Sequence, residues 1–171
     1  MSKHNLEKLE ELLAQLIGEN RKIASVKITR LTAPGENYGG LLLGVDVTLK
    51  NNDGKEEELN VVAKCIPVNL FLREVFDIQV SVKKEIAFYD TVVPTLRQFQ
   101  EEQGVENVMD FFPRIYGSRL NLNGSDVVDE NSAIILENLV KSGKVAKIIF
   151  VPFEETNAQD GEDKAHQSRV N

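Results

Sequence analysis

Three apolar runs between Ile23 and Ile66 alternate with polar residues and are joined only by short turns. No feature constrains the fold more. A parallel sheet needs a helix-length crossover between strands, and none fits here, so the three runs must pair as an antiparallel meander rather than as part of a doubly wound sheet. The first run is "IASVKITRLTA", with Val26, Ile28 and Ala24 as its inward residues. The second is "LLLGVDVTLK", alternating through Leu43, Val45, Val47 and Leu49. "NNDGKEE" follows as a hairpin turn, in which Asp53 and Gly54 are expected to take the positive φ angles. The third, "ELNVVAKCIP", is ended by Pro67.

Helical periodicity flanks the meander. Leu6, Leu9, Leu12, Leu13, Leu16 and Ile17 fall at helical spacing, which predicts one N-terminal helix capped by Ser2 or Asn5 and ended by Gly18 or Asn20. From Leu70 to about Gln103 the apolar residues again follow a helical period, and the length suggests two helices, with Pro94 near a kink or an end. Strand patterns return near residues 114–122 and 132–138, the latter in the fully apolar run "AIILENL" of a buried strand. The stretch from about residue 154 has almost no large apolar side chains and is expected to be disordered. The predicted fold class is therefore α+β: a five-stranded antiparallel sheet over residues 23–32, 38–50, 56–66, 114–122 and 132–138, with a helix packed across it. We divide the chain into an N-terminal helix (1–20), a sheet-containing unit (21–145) and a divergent tail (146–171).

The 171 residues are enough for one domain with a core. The net charge of −7 argues against nucleic acid or an anionic membrane as partner, while leaving room for a local basic spot that holds phosphate. A single cysteine, Cys65, cannot form an internal disulfide and fits a reducing compartment. The N-terminus carries charge and lacks the long apolar stretch of a signal peptide or anchor. These features predict a soluble, cytoplasmic protein.

Three positions suggest chemistry when taken in order. Gly35, Gly39 and Gly40 lie between the first two strands, Lys64 lies inside the third, and Glu85 lies on the following helix. Glycines let backbone amides approach phosphate without a Cβ in the way. A strand lysine reaches phosphate oxygens, and a helix glutamate holds that lysine by a charge pair. Each position also has a plainer explanation. The glycines suit an ordinary hairpin, Lys64 could snorkel from an edge strand, and Glu85 is one of many helical acids. However, a lysine among Val61, Val62, Ala63, Cys65 and Ile66 is costly to bury without a partner.

The words "PGENYGG", "VVAKCIP", "KKEIAFYDTVVP", "FPRIYGS" and "AIILENLVKSG" occur in this order and together resemble the ecdysteroid kinase-like family, of the choline kinase and aminoglycoside phosphotransferase branch of the protein-kinase-like fold. The resemblance covers roughly Ile23 to Gly143. It implies that Gly35, Glu36, Asn37, Tyr38 and Gly39 belong to the phosphate loop, that Lys64 is the phosphate lysine and that Glu85 is its partner. It also implies that Leu136, Glu137, Asn138 and Leu139 form the hinge whose backbone meets adenine, with Asn138 in place of the family's usual aspartate. The implied cofactor is ATP, and the implied partners are a nucleotide and a small hydroxyl-bearing acceptor.

The family's second lobe would supply a His-Gly-Asp loop, an asparagine and a Mg²⁺-holding aspartate. Neither His4 nor His166 is followed by Gly-Asp. The chain therefore reads as the nucleotide-binding N-terminal lobe without catalytic residues or metal ligands of its own, holding ATP weakly and Mg²⁺ only with the second lobe. The competing expectation is a non-catalytic interaction module that self-associates through the apolar face a lone lobe exposes. A metal centre is disfavoured by one cysteine and two distant histidines. Cys65 reads as a small core residue rather than a nucleophile.

Overall fold

A computed structural model describes residues 6–33 and 39–144. Five strands form one antiparallel sheet: β1 (Arg21–Arg30), β2 (Leu41–Asn51), β3 (Glu56–Cys65), β4 (Ile115–Arg119) and β5 (Ala133–Glu137). Their order across the sheet is β1-β2-β3-β5-β4, so β5 inserts between the meander and β4. The fold is α+β, as the sequence predicts.

The period of two along a strand gives the sheet two distinct faces. On one, Leu41, Leu43, Val45, Val47 and Leu49 of β2 join Val61 and Ala63 of β3 and Ala133 and Ile135 of β5 in the core. This face is covered by the N-terminal segment, whose Leu9, Leu12, Leu13 and Ile17 complete the same core. The segment is not the single helix expected. It forms two single turns, α1 (Leu9–Leu12) and α2 (Ala14–Ile17), broken at Leu13 and ended by Gly18 at φ 63°. Breaking the helix lets Leu13 turn fully inward, and this burial outweighs the hydrogen bonds of a continuous helix. The first turn starts after Lys8, not after Ser2 or Asn5, which lie outside the described residues.

Two local expectations about the meander are corrected. In the β2–β3 turn only Gly54 has positive φ, at 85°, because the loop has three residues between Asn51 and Lys55, with the glycine in the left-handed position. In β1 the register shifts between Ile23 and Ser25, so Ala24 is the extra residue of a bulge and Ile23 packs on the core in its place.

Between β3 and β4 the chain is helical: α3 (Leu70–Val75), α4 (Ile78–Ala87), a π-helical turn (Phe88–Val92) and α5 (Val93–Glu102). The expected division into two helices falls at Phe76–Asp77, where Asp77 has φ 41°. Pro94 sits in the first turn of α5, where its missing N–H is harmless. The wider turn before it, closed by Val93 N–H on the Phe88 carbonyl, moves the backbone away from the proline ring. α4, the π turn and α5 thus form one rod. No helix in the described residues is long and apolar enough to cross a membrane. The expected disordered tail lies outside the described residues.

Candidate functional site

Lys64 is flanked in β3 by Ala63 and Cys65, which pack with the core, so its own side chain emerges on the opposite face. Its cross-strand partners there are Leu42 of β2 and Ile134 of β5. Val62, paired with Gly44 and Leu136, continues the same face. The side chains that flank Lys64 on this face, Leu42, Val62, Ile134 and Leu136, are apolar, so its ammonium needs a partner.

That partner is Glu85 of α4. Lys64 Nζ donates to both carboxylate oxygens, at 2.6 and 2.7 Å. The two side chains are 29% and 27% exposed, open enough for a ligand to reach the ammonium yet sheltered enough to strengthen the pair beyond an exposed one. Lys64 and Glu85 lie in a cleft of about 220 Å³ with Gly39, Pro67, Phe76, Val82 and Ile134 among its walls. Gly40 lies close by, and a Cβ built there would come within 2.8 Å of the Cys65 carbonyl oxygen. Only glycine permits this approach of the glycine turn to the end of β3.

α4 is held in place largely from the side. Gln79 donates to the Val128 carbonyl at 2.7 Å and accepts from Val128 N–H at 2.9 Å, and Lys83 pairs with Asp126 at 2.9 Å. The loop that receives them is ordered by buried Asn121, whose amide bonds Ser125 and Val127. Sequence patterning missed this support, because side chain to backbone bonds carry no periodicity. The adjacency of Asn121, Asn123 and Ser125 was its only trace.

A second polar cluster lies at the end of β5. The buried Glu137 carboxylate accepts Arg114 N–H at 3.3 Å and pairs with Lys144 at 3.4 Å. Lys144 also reaches Asp110 at 3.0 Å. The hydrogen bond from Lys144 holds the Asp110 carboxyl below its ordinary range, and the same bond pushes the lysine up. Beyond the strand, Asn138 closes a turn: its side-chain oxygen accepts Lys141 N–H at 3.2 Å and its carbonyl accepts Ser142 N–H at 2.9 Å.

A family model described as the ecdysteroid kinase-like family matches residues 34–148. The chain belongs to the ecdysteroid kinase-like family. No curated protein and no solved structure matches it. The ecdysteroid kinase-like chain thus has a kinase-like fold, and the expected places of its site residues can be compared with the geometry. Lys64 and Glu85 come together. Gly39 lines their cleft. Gly35, Glu36, Asn37 and Tyr38 lie outside the described residues. Glu137 ends β5 and Leu139 lies two residues beyond it, and the Glu137 side chain faces Lys144. Asn138 serves its turn through the oxygen it shares with aspartate, so replacing the acid removes no acceptor there.

Cys65 packs against the core, and burial outweighs the one charge that would activate it. Burial pushes its thiol up to about 11, against a smaller opposing pull from Arg119. Among the described residues, no group of three metal-ligating side chains comes together. A larger groove of about 520 Å³ runs along β4, but Arg119, its main cation, is already bonded to the Asn131 carbonyl at 2.8 Å.

Proposed function

We propose that the chain is the nucleotide-holding lobe of an ATP-dependent kinase acting on a small hydroxyl-bearing acceptor, of the steroid class that the family's name suggests. The observation that carries this reading is the bidentate hold of Glu85 on Lys64 at the mouth of a cleft floored by apolar side chains. Glu85 keeps the ammonium in one place and offsets its charge, so that Lys64 can present its remaining hydrogen-bonding capacity to phosphate oxygens. Gly39 and the glycine-rich turn before it would bring backbone amides to the same phosphates. Half-buried Val62, on the same face, offers an apolar side chain to adenine, whose edge would meet the backbone of Glu137 and Leu139.

In the transfer, the acceptor oxygen forms a bond to the γ-phosphorus as the bond to the bridging oxygen breaks, and the hydroxyl proton passes to a base. Mg²⁺, when bound with the nucleotide, offsets phosphate charge. No described carboxylate cluster suits it, and the family's His-Gly-Asp sequence does not occur in the chain. We therefore assign binding to this chain and not turnover. Loss of the base alone removes about 10²- to 10⁴-fold in rate. The chain is soluble and cytoplasmic on this reading.

Calorimetry of the purified chain with ATP tests the binding, and mass spectrometry with Mg-ATP and a steroid alcohol tests turnover. Binding that is weakened in both Lys64→Met and Glu85→Gln, with no phosphorylated product, is expected. ATP binding unchanged in both variants, or multiple turnovers abolished by Lys64→Met, would refute it.

One observation favours a second reading, an interaction module. Leu70 and Phe71 of α3 are 70% and 68% exposed, and Val68 and Val75 beside them are also exposed. Apolar surface gathered in this way favours association. Concentration-dependent self-association in sedimentation, lost in Phe71→Ser, would support it.

A further inference from the structure

We propose that Lys144 is a positioning residue: with Asp110 it fixes the hinge after β5 to the same helical rod that carries Glu85. The inference rests on the nucleotide reading above and adds to it a link between the adenine end and the phosphate end of the site.

The link can be followed bond by bond. Glu85 lies on α4, which continues through the π turn into α5 as one rod. Near the far end of that rod, Arg97 donates to the carbonyls of Met109 and Phe112 at 3.1 and 3.0 Å. Gln100 accepts Met109 N–H at 2.8 Å, and Phe112 packs edge-on against Phe88 of the π turn. The loop containing Asp110 is therefore fastened to the rod. Asp110 lies 3.5 Å from Arg97 and 3.0 Å from Lys144. Lys144 in turn reaches Glu137, the last residue of β5, whose carboxylate also takes Arg114 N–H from the same loop.

The carboxylate of Glu137 is nearly inaccessible to water, so without Lys144 its charge would have only one neutral N–H as a partner. It would turn outward and release the backbone that follows. The hinge turn closed by Asn138 begins at the next residue. Lys64, by contrast, pairs with Ile134 toward the other end of the β3–β5 ladder, three pairs away from the Val61–Glu137 pair where this network joins it. The hinge and the phosphate lysine therefore respond differently to loss of Lys144.

The experiment uses the full 171-residue chain with Lys144→Met, Asp110→Asn and Lys144→Arg. Two ligands are titrated, ATP and inorganic tripolyphosphate, which has phosphates but no adenine. For Lys144→Met and Asp110→Asn we expect ATP to bind about 3- to 30-fold more weakly while tripolyphosphate changes by less than about twofold. Lys144→Arg should restore ATP binding. Hydrogen exchange of the free chain provides a readout independent of ligand: residues 109–114 and the hinge turn should lose protection together in the Met variant and regain it together in the Arg variant.

Equal weakening of both ligands, unchanged ATP binding, or loosening of the hinge without the 109–114 loop would overturn the proposal. A wild-type chain that binds neither ligand refutes the nucleotide reading and the adenine half of this one. The exchange result then decides by itself whether the hinge is tied to the rod.

Discussion

Replacing Gly117 with alanine should loosen the N-terminal segment from the sheet. A Cβ built at Gly117 lies 2.1 Å from the Leu12 carbonyl oxygen and 3.0 Å from its carbon. Both atoms are backbone, so no side chain can rotate out of the way. Carbon and oxygen need roughly 3 Å or more, and the Leu12 peptide must therefore retreat by about 1 Å. Leu9, Leu12 and Leu13 are anchored in the core on either side of that peptide. A retreat of this size opens gaps beneath all three, and we expect a cost of about 2–3 kcal/mol. In a chain of this size that lowers the melting temperature by roughly 5–10 °C and the urea midpoint by about 1 M. Gly40 and Gly39 provide a graded comparison. At Gly40 the added Cβ meets the Cys65 carbonyl oxygen at 2.8 Å, a milder clash, and at Gly39 it meets nothing within 4 Å. Thermal and urea melts should rank the alanine variants as Gly117 worst, Gly40 intermediate and Gly39 near wild type. A Gly117→Ala chain as stable as wild type would show that the N-terminal turns do not lie on β4 as described.

Three further outcomes follow from the site's surroundings. Cys65 should react slowly with iodoacetamide at pH 8 and faster as pH rises toward 11, where its buried thiol ionises. Because the folded thiol ionises later than the unfolded one, its contribution to stability is complete below pH 9 and lost as pH rises from about 9 to about 11; melts flat across that range in wild type relative to Cys65→Ala would contradict this. Gln79→Ala removes both bonds to Val128 and should cost about 1–3 kcal/mol, with faster hydrogen exchange in residues 121–131; unchanged exchange there would remove α4's side support.

The parts of the fold legible in the sequence are those written as repetition. Leu43 to Leu49 repeat every second residue, and each sits in the core. Lys64 was legible for the opposite reason: it breaks an apolar strand, and a charge in that setting requires a partner on whatever packs nearby. Glu85 met that requirement. Features made by single residues acting across space were not legible. Nothing in the apolar period of Leu6 to Ile17 marks Leu13 as the place where the helix breaks, because the gain comes from a sheet the periodicity does not contain. Ala24 looks like an inward residue until the bulge displaces it. Asp110 and Lys144 are 34 residues apart, in two stretches with no apolar pattern, so only the folded chain brings them together.

The π-helical turn at Phe88–Val92 has a bearing on how this lobe can change over evolution. A π turn amounts to one residue inserted into an α-helix, and the wide turn absorbs the roughly 100° by which an inserted residue would otherwise rotate the rest of the helix. Upstream of it the helical face is committed to Lys64 through Glu85; downstream it is committed to the 109–112 loop through Arg97. Deleting one residue between Phe88 and Val92 would therefore restore a regular helix and leave Arg97 facing the carbonyls it binds. Pro94 opposes that change, because a regular α-turn would drive its ring against the carbonyl four residues before it. The proline, and not the phase of the two faces, is thus what should keep the extra residue in place, and a single-residue deletion here should be tolerated better together with Pro94→Ala than without it.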